Sequence, residues 1–224
     1  MILVRNLVRV FVDGDKETRV LKGINFDAAD GEFIAIMGRS GAGKSTFMYQ
    51  LSLLDHPTEG EIVIDGRKTR DMTSNERTEF RLRQLGYVFQ DYALLPELTA
   101  LENVALPLIM QGIENKEAYA KAEEALKRVN LGKRINNLPS QLSGGEQQRV
   151  SISRAVANKP KILFADEPTA NLDNESSHMV MDIFKELHKN GQTIIMVTHE
   201  EEYGKMAEKI VRLDDGNIIS VTKN

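Results

Sequence analysis

With 224 residues, the chain can hold one α/β domain carrying a smaller subdomain, but not two domains of that kind. A formal net charge of −4 gives no electrostatic ground for nucleic acid or an anionic membrane surface as the main partner, so neither nucleic acid nor direct membrane insertion is expected. The absence of cysteine excludes disulfides and thiol chemistry, and four scattered histidines form no metal-ligand cluster. No apolar run approaches the ~18 residues that span a bilayer, and the N-terminus lacks the charged-then-apolar profile of a signal peptide; the expected location is the cytoplasm.

The first residues alternate as a strand does. Leu3, Arg5, Leu7 and Arg9 share one face and Ile2, Val4 and Val8 the other, with Asp13-Gly14-Asp15 turning into a second strand from about Arg19 to Phe26. Phe11 is expected in a loop brought back towards a ligand, as an adenine platform or as a plain strand-end aromatic. Phe33 to Met37 is apolar without alternation, as in a strand buried on both faces of a parallel sheet. It runs into Gly38-Arg39-Ser40-Gly41-Ala42-Gly43-Lys44-Ser45, a full match to G-x-x-x-x-G-K-[ST], and the stretch from Thr46 to Leu54 reads as helix. In that order of strand, glycine loop and helix, backbone N–H groups and the positive helix end face phosphate oxygens. Lys44 then offers a charge to the β- and γ-phosphates, and the Ser45 hydroxyl a ligand to Mg²⁺. The bland alternative is a glycine turn that binds nothing. Arg39 places a cation where a neutral residue is expected.

Asp55 to Gly60 is turn chemistry before a short strand, Glu61 to Ile64. Leu85 to Phe89 reads as another interior strand, delivering Gln90 just past its end. Ala93 to Met110 is rich in Leu, Ala and Pro, so it is either a partner-facing element or ordinary subdomain core. Ala118, Ala122, Ala125, Leu126 and Val129 recur at helical spacing between Asn115 and Asn130. In Leu142-Ser143-Gly144-Gly145-Glu146, Ser143 and Glu146 form a capping box that opens a helix to about Ala157. That end is either a second anion site or only a helix start. Ile162 to Ala165 is an apolar strand ending in Asp166-Glu167-Pro168. A helix from Glu175 to Lys189 turns Val180, Ile183, Phe184 and Leu187 inward. Ile194 to Val197 is a last buried strand, ending in Thr198-His199-Glu200, and Asp214-Asp215-Gly216 is a hairpin turn.

Ligands of open parallel sheets sit at the carboxyl ends of the strands. Four strands here end in phosphate-suited residues: the P-loop, Gln90, Asp166-Glu167 and His199. Asp166 fits the acid that holds Mg²⁺ and Glu167 a base set against the γ-phosphate. Gln90 could link metal and water, and His199 could hydrogen-bond the γ-phosphate.

Taken together, the chain resembles the ATP-binding cassette family of transporter ATPases over essentially its whole length. Leu142-Ser143-Gly144-Gly145-Glu146-Gln147-Gln148 is similar to the family signature and is more specific than a P-loop alone. By the same likeness Phe11 matches the adenine-stacking aromatic, more usually tyrosine, and Gly38 to Thr46 the nucleotide loop. Gln90 matches the Q-loop, Asp166 and Glu167 the Walker B pair, Ala170-Asn171-Leu172-Asp173 the D-loop, and His199 the switch histidine. Leu94-Leu95-Pro96-Glu97-Leu98-Thr99-Ala100-Leu101-Glu102-Asn103-Val104 is similar to the branch of lipoprotein-releasing, macrolide-exporting and cell-division cassettes (LolD, MacB and FtsE types).

The resemblance implies one nucleotide-binding domain over residues 1–224, with a mostly parallel P-loop core, an N-terminal antiparallel β subdomain and an inserted helical subdomain. The core would take about 1–90 and 160–224, the helical subdomain about 91–159. It further implies an ATPase using ATP and Mg²⁺, in which a second copy closes a sandwich over ATP through Ser143, Gly144 and Gly145. A membrane permease would be engaged through about 91–103, holding the protein on the inner face of the cell membrane. A cell-division-type cassette that regulates an extracytoplasmic enzyme without transport is the alternative. A P-loop kinase would leave Ser143 to Gln148 idle, and a chromosome-maintenance cassette would need a long coiled coil that the sequence lacks.

Overall fold

The computed structural model describes residues 1–224. The chain divides into two compact units, one formed by Met1–Glu79 with Gly191–Asn224 and the other by Phe80–Asn190.

In the first unit, strands β1 (Ile2–Asp13), β2 (Lys16–Ala28), β4 (Glu59–Ile64) and β5 (Arg67–Lys68) form an antiparallel sheet in the order β2-β1-β4-β5. Strand β3 (Phe33–Met37) lies parallel to both β8 (Thr193–Val197) and β9 (Lys209–Asp214), and β10 (Asn217–Lys223) folds back antiparallel on β9. All residues of β3 and β8 are buried, which is why neither shows alternation.

The expected alternation of β1 breaks at Asn6. That residue sits at φ 46°, the ladder shifts register between Val4 and Leu7, and Leu7 is buried with Val4 and Val8 rather than sharing a face with Leu3. The extra residue brings Leu7 to the buried face, and a second register shift between Leu7 and Val8 returns Val8 to the face expected of it. Gly60 completes the bulge, because a Cβ there would stand 2.3 Å from the Asn6 carbonyl oxygen.

Helix α1 (Lys44–Leu51) starts at the P-loop lysine and ends before the expected Leu54, since Leu53 turns left-handed at φ 61°. The buried Arg77 guanidinium donates to the carbonyls of Leu53 at 3.3 Å and Asp55 at 2.8 Å, satisfying groups the helix cannot reach. Phe47 meets Phe26 edge-on at 5.3 Å and anchors α1 to β2. A short helix, α7 (Glu201–Gly204), follows β8.

Helix α2 (Ser74–Gln84) runs through the junction of the two stretches and has no counterpart in the sequence reading. It carries no apolar stripe, but it does carry a capping signal. Thr73 and Glu76 bond reciprocally, the Thr73 N–H to Glu76 at 2.8 Å and the Glu76 N–H to the Thr73 hydroxyl at 3.3 Å.

In the second unit β6 (Leu85–Val88) pairs parallel with β7 (Ile162–Asp166). Around them lie α3 (Ala100–Met110), α4 (Asn115–Arg128), α5 (Gly144–Val156) and α6 (Asn174–Lys189). Val104, Ala105, Ala122, Leu126, Leu131 and Val150 form one core cluster. Residues 91–159 lie within this unit, which also takes in β6, β7 and α6. The Ala93 to Met110 stretch is therefore split between the two readings open to it. Ala100, Val104, Ala105 and Leu108 are core, while Leu95 is 43 % exposed in the loop before α3. That loop is fastened from inside by the fully buried Asn103. Its amide donates to the carbonyls of Leu95, Leu98 and Thr99 at 3.1, 2.9 and 3.0 Å, and its carbonyl accepts from the Leu95 N–H at 2.8 Å.

Candidate functional site

The phosphate cradle of the first unit follows from crowding around its glycines. A Cβ on Gly38 would stand 2.2 Å from the Leu213 carbonyl oxygen, and Gly43 holds φ 98° with Leu21 and Val20 3.1 and 3.2 Å from where its Cβ would be. The loop closes on itself: the Ala42 N–H donates to the Arg39 carbonyl at 3.1 Å, and the Gly216 N–H donates to the Ala42 carbonyl at 3.1 Å. Lys44 is buried, and its ammonium donates to the Arg39 carbonyl at 3.1 Å, which curls the side chain over the loop. Arg39, Ser40 and Gly41 form the exposed crest; Ala42 is buried, and Ser45 and Thr46 are partly covered in the first turn of α1. Of the seven α-helices, α1 is the one with no acidic residue in its first turn, and its N-cap, Gly43, supplies no side-chain bond. Its positive end is left for an outside anion.

In the same unit His199 is exposed just past β8. Phe11 is not in a loop, as expected, but within β1, opposite Thr18. The hairpin is longer than alternation suggested, β1 running on to Asp13 and β2 starting at Lys16, and it carries the ring outward, 43 % exposed.

The second unit gathers the remaining motifs. Asp166 is buried at the end of β7, and Glu167 follows at φ 45°, a left-handed conformation that costs a side-chain-bearing residue about 1–2 kcal/mol. The turn is held there: the Ala170 N–H donates to the Glu167 carbonyl at 3.1 Å, and the fully buried Gln148 amide donates to the Pro168 carbonyl at 2.8 Å. Gln148 is on α5, so the signature helix directly props the carboxylate turn.

Gln90 is exposed in the turn after β6, and its carbonyl accepts from the Asn171 amide at 3.1 Å. Tyr92 and Ala93 follow at φ 63° and 48°. Both are clamped by Arg154 of α5, whose guanidinium donates to the Tyr92 carbonyl at 2.9 Å and the Ala93 carbonyl at 2.6 Å. Arg154 and Tyr92 escaped the sequence reading, because nothing local marks an arginine that reaches 62 residues back.

At the start of α5 the Ser143 hydroxyl accepts from the Glu146 N–H at 3.3 Å and Glu146 accepts from the Ser143 N–H at 2.9 Å, as the capping box predicted. The Ser143 N–H, more than the nearby Arg134 guanidinium, holds the Glu146 carboxyl below its ordinary pKa. Gly144 and Gly145 have a local reason to lack side chains. Their Cβ atoms would stand 2.8 Å from the Tyr92 hydroxyl and 2.5 Å from the Ser176 hydroxyl.

A glycine cradle at an uncapped helix and an acidic pair at the end of a buried strand are the equipment of a P-loop nucleoside triphosphatase. Residues 21–170 match the ABC transporter family model, and the chain belongs to that family. It is 49% identical over 221 residues to an uncharacterized ABC transporter ATP-binding protein of Methanocaldococcus jannaschii, covering 99% of each chain. It is 46% identical over 200 residues to the lipoprotein-releasing system ATP-binding protein LolD of Aquifex aeolicus, covering 89% of each. Identity to the macrolide export ATP-binding/permease protein MacB of Mannheimia succiniciproducens is 45% over the whole chain, which spans 35% of that longer protein. A solved dimeric ATP-binding cassette in a post-hydrolysis state, bound to ADP and phosphate, superposes with a TM-score of 0.93 at 41% identity, over 100% of this chain and 98% of that one. The fold is thus the expected α/β cassette, and the chain is an ABC ATPase of the LolD and MacB branch.

Proposed function

We propose that the chain hydrolyses ATP with Mg²⁺ between two copies of itself and transmits the cycle to a separate membrane permease of export or mechanotransmission type. The observation that carries the reading is the start of α1, with its glycine crowding, absent acid and buried Lys44. Gly38 to Thr46 would cradle the phosphates, Lys44 holding negative charge on the β- and γ-phosphates. The donors on offer for Mg²⁺ are hard oxygens, the Ser45 hydroxyl, the Asp166 carboxylate and the Gln90 amide. No cluster of three or more His, Cys, Asp or Glu side chains is present. That set suits a cation held by one carboxylate, waters and substrate phosphates rather than by a protein cage. When bound, Mg²⁺ would supply charge stabilisation on the phosphate oxygens.

Glu167 would accept the proton of the attacking water. The water oxygen bonds to the γ-phosphorus, the bond from that phosphorus to the bridging oxygen breaks, and ADP and phosphate leave. Gln90 would orient the water and His199 would donate to the γ-phosphate, while Ser143, Gly144 and Gly145 of the second copy close over it. Residues 91–103, with exposed Leu95, would face the permease; no helix is long and apolar enough to cross a membrane. Domain boundaries near 90 and 160 would let the helical segment move with that partner.

Light scattering tests the sandwich. Glu167→Gln should dimerise with ATP and stay monomeric without it, and adding Ser143→Arg should abolish the dimer. A Glu167→Gln variant that remains monomeric at saturating ATP removes the sandwich from this account.

A further inference from the structure

The Phe11 ring does not stand alone. The Arg9 guanidinium carbon lies 4.3 Å from its centroid, over one face. Arg9 is itself fixed, its Nε donating to Asp55 Oδ2 at 2.7 Å and its Nη2 to Asp55 Oδ1 at 3.0 Å. Asp55 is fixed in turn by the His56 N–H at 2.7 Å and the Gln50 amide at 2.8 Å. Gln50 is fully buried on α1, the helix that starts at Lys44. A continuous polar brace therefore runs within the first unit from the helix of the phosphate cradle to an exposed aromatic ring.

We propose that Arg9 is a positioning residue for nucleotide base recognition: held two-pronged by Asp55, it caps one face of Phe11 and sets the other face for stacking. The proposal rests on the reading of Phe11 as the base platform. A guanidinium in a fixed fork stacks on aromatic rings as a flexible ammonium cannot, and a cation on one face draws electron density from the ring, favouring an electron-rich purine on the other. Because every base has a π face, such a platform selects purines by stacking area and not by hydrogen-bond readout. Gln50 and Asp55 tie the platform to the helix that starts at the cradle.

The test uses the full chain and compares binding of Mg·ATP with that of Mg·tripolyphosphate, which carries phosphates and no base, by calorimetry. Arg9→Met should weaken ATP roughly three- to tenfold and leave tripolyphosphate unchanged. Phe11→Ala should weaken ATP roughly 5- to 150-fold, again without effect on tripolyphosphate. The double variant should bind ATP as Phe11→Ala does, since Arg9 acts through the ring. Arg9→Lys, which keeps the charge and gives up the fork, should fall between wild type and Arg9→Met and serves if the latter does not fold. If Phe11→Ala weakens ATP and neither Arg9 variant does, the brace is overturned and the platform stands. Equal weakening of ATP and tripolyphosphate by Arg9→Met overturns it too, as a structural effect through Asp55 on α1. Wild-type ATP affinity in Phe11→Ala overturns the platform itself and the brace with it.

Discussion

Helix α1 of the first unit and helices α3, α5 and α6 of the second begin in opposite ways. The latter three open on Thr99, Ser143 and Asp173, each accepting from a backbone N–H three residues on, with Glu102, Glu146 and Glu175 in their first turns. Helix α1 opens on a left-handed glycine, without side-chain cap or acid. Side-chain caps satisfy the orphan donors of a helix and neutralise its positive end at once. At α3, α5 and α6 the chain supplies both, and at α1 it supplies neither. Helix α5 is the informative intermediate. The Ser143 hydroxyl accepts from the Glu146 N–H and keeps its own O–H to donate, so on the proposed function it could meet a partner's phosphate without giving up its cap.

The largest test of this contrast is chemical. Glu167 belongs to a turn propped by Gln148 of the capped helix α5, so removing its charge should leave the fold and nucleotide binding intact. A general base is worth about 10²- to 10⁴-fold in rate, and Glu167→Gln should lose at least that in phosphate release. Turnover within tenfold of wild type would move the base elsewhere.

Next in size is Lys44→Ala. A hydrogen bond to a charged group contributes about 1.5–3 kcal/mol, so ATP affinity should fall by roughly 10- to 150-fold. The circular dichroism spectrum should not change, because the ammonium donates to the loop carbonyl of Arg39. An unchanged affinity would show that the open end of α1 holds phosphate without its lysine.

The same contrast explains what could be read from sequence. The P-loop, Asp166-Glu167 and the Ser143 box were legible because chemistry or capping demands those residue types at fixed short spacing. The buried strands β3, β7 and β8 were legible because burial on both faces leaves no other composition. Asn6 was not, since a one-residue bulge leaves period-two patterning intact on either side and only misassigns Leu7. Helix α2 lacks an apolar stripe, so periodicity misses it, although Thr73-x-x-Glu76 announces it. Arg154, Tyr92 and Asn103 act by reaching carbonyls distant in sequence or hidden in a loop, and composition carries no trace of that.

Asn103 gives the third test, and it separates the loop's anchoring from its surface. Asn103→Leu takes the side-chain partner from the Leu95 N–H and the Leu98 carbonyl, while the Leu95 and Thr99 carbonyls keep the backbone N–H groups of Leu98 and Asn103. At about 1–3 kcal/mol for a buried group left unsatisfied, and with water able to reach part of this loop, a loss of about 2 kcal/mol is expected. That should lower the melting temperature by roughly 4–8 °C at this chain length. Leu95→Asp, by contrast, alters an exposed position and should leave melting and basal ATPase unchanged while reducing co-purification with a permease. Loss of stability in Leu95→Asp would return that side chain to the core.

The smallest effects compare one cap with another. Replacing an N-cap hydroxyl by alanine costs about 1 kcal/mol, so Thr99→Ala and Ser143→Ala should each lower melting by roughly 2–4 °C. They should part on nucleotide. Thr99→Ala removes only a cap and should leave ATP-driven dimerisation of the Glu167→Gln background intact, whereas Ser143→Ala would, on the proposed sandwich, also remove a phosphate partner and should weaken it. Acid should also separate the two caps. The Glu102 carboxyl is held below its ordinary pKa by the Thr99 hydroxyl and N–H, and Glu146 chiefly by the Ser143 N–H. A carboxyl depressed in the folded state stabilises above its unfolded value, near 4.3, and that contribution is lost as pH falls through the folded value. Both carboxyls are partly exposed, so solvent screens each share. Below pH 4 Thr99→Ala should therefore draw towards wild type in melting temperature, while Ser143→Ala, which keeps the backbone N–H that holds Glu146, should keep its deficit; the difference in dimerisation at neutral pH remains. Equal dimerisation in the two variants would reduce the start of α5 to an ordinary capped helix and leave α1 as the sole phosphate end.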